Sequence, residues 1–304
     1  MDPSEGQLAI VIGVGRGTCE VQVPGAPPVQ AQLTGDIAKI QQSALAVGDE
    51  VRLQERPGAP PLVVEVLPRR TALSRPDPMD PHIERAIVAN VDVVVIVCAA
   101  KNPAFKPRLI DRYMVAIERG GARPLVAVNK ADLVPDRRRP ELQAQLQVYQ
   151  DIGVPVFLTS TSDGEGLEAL RAALRGQTAA FVGHSGVGKS SLLNALAGGQ
   201  AADIGRVRTS DGKGRHTTTH SALFVLPDGT RIIDTPGIRA FGLHGLSREE
   251  LRHSFPEFDG LRCRYGDCLH DREPEADCGV KRAVVEGGVN PARYDTYLRL
   301  LRDL

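Results

Sequence analysis

Between about residue 8 and residue 67 apolar and polar positions alternate in short runs, AIVIGVG, CEVQV, VQAQL, DEVRLQ and LVVEVL, separated by the turns PGAPP and RPGAPP. Alternation puts every second side chain on one face of an extended chain, so each run buries one face and wets the other. Five such runs at close spacing predict a small antiparallel barrel. The Pro-rich stretch RTALSRPDPMDP then breaks the periodicity and predicts a linker or an extended arm.

From Ile87 the pattern becomes strands alternating with helices. NVDVVVIVCAA is continuously apolar, as a strand covered on both faces requires. PRLIDRYMVAIERGG sets Leu109, Ile110, Tyr113, Met114 and Ile117 on one helical face and stops at glycine. PLVAVNK, VPVFLTS and TAAFVG read as further strands, ELQAQLQVYQDIG, GLEALRAALRG and SSLLNALAG as helices, and SALFVLPDG with TRIIDTPG as a hairpin. Six strands with helices between them predict a doubly wound α/β sheet of nucleotide-binding type. After Phe241 the strand pattern ends. SREE at Ser247 to Glu250 is a capping box, and PARYDTYLRLLRDL is an amphipathic helix with Tyr294, Tyr297, Leu298 and Leu301 on one face. The predicted domains are a barrel over 1–70, an α/β domain over 71–240 and a small, mostly helical domain over 241–304.

Composition narrows the partners. The 304-residue chain carries 37 basic and 37 acidic residues, so any nucleic-acid contact has to come from a local patch. Aromatic residues make up 4% and Trp is absent, which excludes an extended platform for stacking bases. The start, MDPSEGQLAI, lacks the basic and apolar regions of a signal peptide, and no apolar run approaches a bilayer span, so a cytoplasmic protein is expected. Of five cysteines, three crowd between residues 263 and 278; in a reducing compartment they read as metal ligands before disulfides.

GHSGVGKS, comprising Gly183, His184, Ser185, Gly186, Val187, Gly188, Lys189 and Ser190, has the spacing of a phosphate-cradling loop between a strand and a helix. Its glycines let backbone N–H groups turn inward, Lys189 is expected on the β and γ oxygens, and the Ser190 hydroxyl on Mg²⁺. NKAD, comprising Asn129, Lys130, Ala131 and Asp132, supplies base choice. The Asp132 carboxylate can accept from guanine N1–H and the N2 amino group, whereas adenine would leave it unpaired. Asn129 and Lys130 would brace the loop and the base. TSTSDG fits a loop whose backbone near Ser160 and Thr161 contacts guanine O6. DTPG, from Asp234 to Gly237, resembles a γ-phosphate sensor, with Asp234 touching Mg²⁺ through water and the Gly237 N–H reading the γ-phosphate. GRHTTTH offers Thr218 as the switch contact to Mg²⁺, with Thr217 and Thr219 as rivals. Ile238 stands where a water-orienting Gln is common, so intrinsic hydrolysis is expected to be slow. His216 is the candidate substitute, and contact with solvent or RNA is its other reading.

Cys263, Cys268, His270 and Cys278 form a C-x4-C-x-H-x7-C set of three thiolates and one imidazole, suited to a closed, structural Zn²⁺ site. Cys19 and Cys98 lie in apolar strand patterns and read as core. Arg206, Arg208, Lys213, Arg215, His216 and His220 concentrate charge in the switch segment, where a phosphate-backbone contact would couple RNA to nucleotide. The triplet Arg137, Arg138 and Arg139 reads either as a solvated face or as a second basic contact.

The order NKAD, TSTSDG, GHSGVGKS, GRHTTTH, DTPG is that of a circularly permuted GTPase. With VGDEV in the barrel, LPRRTALSRPDP at the junction, DRYMVAIERGGARPLVAVNKADLV, PGIRAFGL and the trailing Cys/His cluster, the chain closely resembles the ribosome small-subunit-dependent GTPase A family of bacteria. The resemblance implies an N-terminal OB-fold barrel, a permuted Ras-like P-loop GTPase domain and a C-terminal zinc-binding domain. It implies GTP or GDP with Mg²⁺ on Asn129 to Asp132 and Gly183 to Ser191, and one zinc on Cys263, Cys268, His270 and Cys278. It further implies a 30S ribosomal subunit and 16S rRNA as partners, other 30S assembly factors, a monomer, and slow hydrolysis stimulated by the subunit. A GTP-gated RNA-binding module in which hydrolysis is incidental, favoured by Ile238, and a GTPase acting on the large subunit are the alternatives. If His216 takes part in the reaction, His216→Ala abolishes partner-stimulated hydrolysis; turnover at the wild-type stimulated rate would remove it from the chemistry.

Overall fold

The computed structural model describes residues 6–15, 17–37, 45–77, 84–198, 222–234 and 245–304. The alternating N-terminal runs become strands β1 (Gln7–Val14), β2 (Thr18–Gln22), β3 (Val29–Leu33), β4 (Glu50–Arg56) and β5 (Ala59–Val66), closed into a barrel in the order β1-β2-β3-β5-β4. Its inward residues Val11, Val21, Ala31, Val51 and Val63 are fully buried. One junction departs from the antiparallel expectation, since β3 and β5 are parallel, with Leu33 opposite Val63. The reason is parity: strands that alternate in direction around a ring of five must leave one pair running the same way.

Of the two readings of the Pro-rich stretch, a linker or an extended arm, residues 72–76 fit the extended one. Strand β6 (Ala72–Pro76) pairs antiparallel with β7 (Glu84–Ala89), and Leu73 opposite Val88 is buried in the main core. Pro76 ends the strand, where a missing N–H costs least. Polar bonds fix the barrel to these strands. Buried Asp49 accepts from Arg69 Nε at 2.7 Å, Arg69 Nη2 at 2.8 Å and the Ala46 N–H at 2.7 Å. The Asn90 side chain donates to Gly48 O at 3.0 Å and accepts from the Arg70 N–H at 2.8 Å.

Strands β8 (Val93–Ala99), β9 (Arg123–Asn129), β10 (Val156–Leu158), β11 (Thr178–Val182), β12 (Ala222–Val225) and β13 (Arg231–Asp234) form one sheet in the order β10-β9-β8-β11-β13-β12. All are parallel except β12, the antiparallel hairpin partner of β13. Every β8 residue is buried because alternate side chains enter different cores. Val94, Ile96 and Cys98 pack with helices α1 (Pro107–Arg119) and α2 (Arg139–Asp151), through Ile110, Met114, Ile117, Leu142 and Leu146. Val93, Val95 and Val97 pack with α3 (Leu167–Leu174) and α4 (Lys189–Leu196), through Leu170, Leu174, Leu192 and Leu196.

The C-terminal region contains α5 (Arg248–His253), α6 (Gly279–Glu286) and α7 (Pro291–Asp303). The capping box forms as read: Ser247 Oγ accepts from the Glu250 N–H at 3.1 Å and Glu250 Oε2 from the Ser247 N–H at 2.7 Å. The inner face of α7 is rotated from the sequence reading: Tyr294 and Leu298 are half-buried, while Thr296, Tyr297, Leu300, Leu301 and the cationic Arg293 are buried. Its guanidinium donates to Glu257 at 2.6 and 2.9 Å and to Asp111 of α1 at 2.9 Å, and lies 4.7 Å from the centre of the Phe255 ring. Burial opposes its charge, but the two carboxylates overcome that and raise its pKa. Arg293→Ala leaves two buried carboxylates without their cation, and the expected loss in urea unfolding is about 3–5 kcal/mol. Arg299→Ala, an exposed pair with Asp295 on the same helix, is expected to cost about 0.5 kcal/mol or less.

Candidate nucleotide and metal sites

Parallel strands deliver their carboxyl ends to one edge of a sheet, and in such sheets ligands bind outside that edge where the winding reverses. Here β11 enters GHSGVGKS, β9 ends at Asn129 and enters NKAD, β10 enters TSTSDG, and β13 ends at Asp234. Asp234 lies opposite Phe181, two residues before the phosphate loop, and is half-buried.

Within the loop, Gly183 has φ 146° and a Cβ there would stand 2.2 Å from Val97 O; Gly188 has φ 92° and its Cβ would meet Asn129 Nδ2 at 2.3 Å. Both positions need glycine for conformation and for space. Val187 is buried and pins the loop, while His184, Ser185 and Gly186 are exposed. Gly188 is the N-cap of α4 and has no side chain with which to cap that end, and the N–H groups of a helix's first turn have no intrahelical acceptor. Ser190 and Ser191 lie exposed in that turn, and Lys189 Nζ donates to Gly183 O at 2.7 Å and His184 O at 3.2 Å.

The base-reading and phosphate loops touch directly. Asn129, buried at 1% exposure, donates from Nδ2 to Val187 O at 3.1 Å and accepts from Thr159 Oγ1 at 3.5 Å. Lys130, in the left-handed region at φ 62°, donates from Nζ to Gly186 O at 2.6 Å and also to Asn102 O. Ala131 is buried and its N–H donates to Thr159 O at 3.1 Å, so exposed Asp132 sits on a short 3-10 turn with a fixed base. Ser160 is buried, its Oγ accepting from the N–H groups of Ser162 and Asp163 at 3.2 and 3.4 Å, and Thr161 is half-buried. Backbone bonding to Glu165, then to Ser160, holds the Asp163 carboxyl below its usual range. Sequence reasoning gave no role to Thr159 or Asn102, whose bonds depend on strand register and on a distant loop. His216, Thr218 and Gly237, with Thr217, Thr219, Ile238 and the basic segment 206–220, lie outside the described residues. A groove of about 830 Å³ between α1, α2 and α7, bordered by Asp111, Tyr149 and Arg293, lies apart from these loops.

The four cysteine and histidine ligand atoms lie within 4.8 Å of one another. His270 Nδ1 is 3.6, 3.3 and 3.4 Å from the sulfurs of Cys263, Cys268 and Cys278. A tetrahedron with Zn–S near 2.3 Å and Zn–N near 2.0–2.1 Å has an S–N edge of about 3.6 Å, so the set fits zinc. Backbone N–H groups of Gly279 and Lys281 point at Cys263 and Cys278 sulfur at 3.3 and 3.5 Å. The Tyr294 and Tyr297 hydroxyls hold His270 O at 2.5 Å and Leu269 O at 2.7 Å. Burial pushes the His270 imidazole down to about 4, which keeps it neutral, and the Cys268 thiol up to about 12. Cys278 is also raised, chiefly by burial. The protein alone therefore favours thiols, and a cation has to supply the charge that makes them thiolates. Adding Zn²⁺ to metal-free protein at pH 7 should release about two or more protons, those of Cys268 and Cys278 included, and affinity should fall as pH falls. Calorimetry in buffers of differing ionisation enthalpy measures this; a heat independent of buffer would rule out thiolate ligation.

A family model described as RsgA GTPase matches residues 66–244. Small ribosomal subunit biogenesis GTPase RsgA of Ectopseudomonas mendocina is 40% identical over 291 residues, covering 94% of this chain and 82% of that protein. The protein of the same name from Haemophilus influenzae strain 86-028NP is 41% identical over 86% of this chain and 76% of its own length. The crystal structure of YjeQ from Thermotoga maritima superposes with a TM-score of 0.80 at 30% identity, covering 98% of both chains. YloQ, described as a circularly permuted GTPase, superposes with a TM-score of 0.75 at 29% identity, covering 98% of this chain and 95% of its own. The chain therefore belongs to the RsgA GTPase family, whose activity is GTP hydrolysis.

Proposed function

We propose that this GTPase binds the small (30S) ribosomal subunit through 16S rRNA and assists its late maturation, with slow intrinsic hydrolysis accelerated by the subunit. The observation that carries the reading is the convergence of GHSGVGKS, NKAD, TSTSDG and Asp234 on one sheet edge, tied by the Asn129 and Lys130 bonds. Relatives named for small-subunit biogenesis support the choice of particle. The three units are taken as a barrel over 1–70, the permuted GTPase over 71–240 and a zinc-binding region over 241–304. No described helix is long and apolar enough to cross a membrane, and the working location is the cytoplasm, with the protein a monomer among other assembly factors.

In this reading Asp132 accepts from guanine N1–H and N2–H, and the backbone near Ser160 and Thr161 meets O6. O6, N1–H and N2–H stand side by side on one edge of guanine, and adenine, with an amino group at C6, a bare N1 and no amino group at C2, fails at every contact. The first-turn N–H groups of α4 and the loop from Gly183 to Gly188 hold the phosphates. Lys189 exchanges its carbonyl partners for β and γ oxygens, neutralising charge that grows on the leaving group. Ser190 and Asp234 offer the hard oxygen donors that Mg²⁺ prefers, and the ion would supply further charge neutralisation there. Water attacks the γ-phosphorus and gives up a proton as the bond to the β-bridging oxygen breaks, so that inorganic phosphate forms and GDP keeps the electron pair of the broken bond. Because Ile238 cannot orient that water, alignment falls to His216 or to the partner, with Thr218 placed to meet Mg²⁺ and the Gly237 N–H to read the γ-phosphate.

GTP turnover measured alone, with purified 30S and with purified 50S tests the proposal. Acceleration by at least about tenfold with 30S and none with 50S is expected, given the 10³–10⁵ range available to completing a GTPase site in trans. Equal rates in all three samples would overturn it.

A further inference from the structure

The arginine triplet divides in the structure. Arg137 and Arg138 are exposed at the turn before α2, whereas Arg139, its first residue, reaches across to the loop after β10. Its Nη1 donates to Glu165 Oε1 at 2.7 Å and its Nη2 to Glu165 Oε2 at 2.9 Å, a two-point fork. Nη2 also lies 3.4 Å from Ala131 O, in the turn that carries Asp132. Glu165 is itself built into the neighbouring loop: its N–H donates to Asp163 Oδ1 at 3.0 Å and its carbonyl accepts the Ser160 N–H at 3.0 Å.

We infer that Arg139 and Glu165 form a clasp that sets the distance between the two base-reading loops, and that they are positioning residues for guanine specificity. The inference rests on the reading of Asp132, Ser160 and Thr161 proposed above. Those groups would address neighbouring atoms on one edge of a planar base, O6 beside N1–H and N2–H, so a small change in their separation leaves the base unable to satisfy both loops at once. The backbone bond from Ala131 to Thr159 fixes the inner ends of the loops, and the clasp fixes their outer ends. Arg139 and Glu165 side chains are 30% and 33% exposed, and an isolated ion pair at that exposure contributes little to global stability. A fork between two loops instead acts by holding both in the binding geometry before the ligand arrives, which lowers the ordering cost of binding.

The experiment measures equilibrium binding and release of GDP and IDP, together with KM and kcat for GTP, on the full chain. Arg139→Ala and Glu165→Gln are expected to weaken GDP by about tenfold, mostly through faster release, while kcat at saturating GTP stays within twofold. Preference for GDP over IDP, which lacks the N2 amino group, should narrow because Asp132 is no longer held in register. Arg139→Lys keeps the charge without the fork and should recover only part of the affinity. The exchanged pair, Arg139→Glu with Glu165→Arg, should recover more than either charge reversal alone. Asp132→Asn, measured in parallel, separates the two readings. If it leaves guanine preference intact, the base-reading proposal itself fails; if it abolishes that preference while Arg139→Ala and Glu165→Gln bind GDP and IDP as the wild type does, the clasp is refuted. A fall in kcat equal to the loss in kcat/KM would also refute it.

Discussion

The side-chain amide of Asn129 is the point on which the two halves of the nucleotide site depend. Permutation puts NKAD more than fifty residues ahead of GHSGVGKS, so covalent continuity does nothing to hold the two loops together. One buried amide donates to the Val187 carbonyl and accepts from Thr159, and the Cβ that Gly188 lacks would occupy the place of its nitrogen. Because the amide is buried, its bonds cannot be traded for water without cost, and each loop depends on the other for its geometry. Lys130 repeats the connection on the exposed side, through Gly186.

This arrangement needs a frame that does not shift, and the sheet supplies it. β8 and β11 lie side by side at the centre, buried on both faces, with helices α1 and α2 on one and α3 and α4 on the other. The barrel is bound to the same frame through Asp49, Arg69 and Asn90, and the C-terminal region through Arg293. In both cases the contact is a buried polar group with every partner in place. Such contacts add less net stability than apolar packing would, but they tolerate one relative placement only.

Periodicity made the regular elements legible. The buried run of β8, the one-faced helix α1 and the capping box before α5 follow from spacing alone, and motif order gave the permutation and the ligands now seen to converge near His270. Three things escaped. The pairing of β6 escaped in a stretch whose prolines suggested a linker or an extended arm, because a single antiparallel partner demands little of the sequence. Parallel closure of the barrel follows from strand number and not from any residue pattern. Arg293 drew no notice on α7, because the pattern cannot show that carboxylates from two other elements wait at the core. Long-range pairs of this kind, Arg139 with Glu165 among them, become visible only when the loops are placed.

Arg293 also bears on what counts as a part of this molecule. A boundary drawn along the chain near residue 240 follows the sequence, but the guanidinium that compensates Asp111 of α1 comes from beyond residue 290. A fragment ending before Pro291 would have to leave that carboxylate buried without its cation, or open α1 to let water reach it. Helix α7 is therefore an internal component of the nucleotide-binding fold although it lies beyond residue 290, and a growing chain leaves the Asp111 carboxylate uncompensated until that helix has been made.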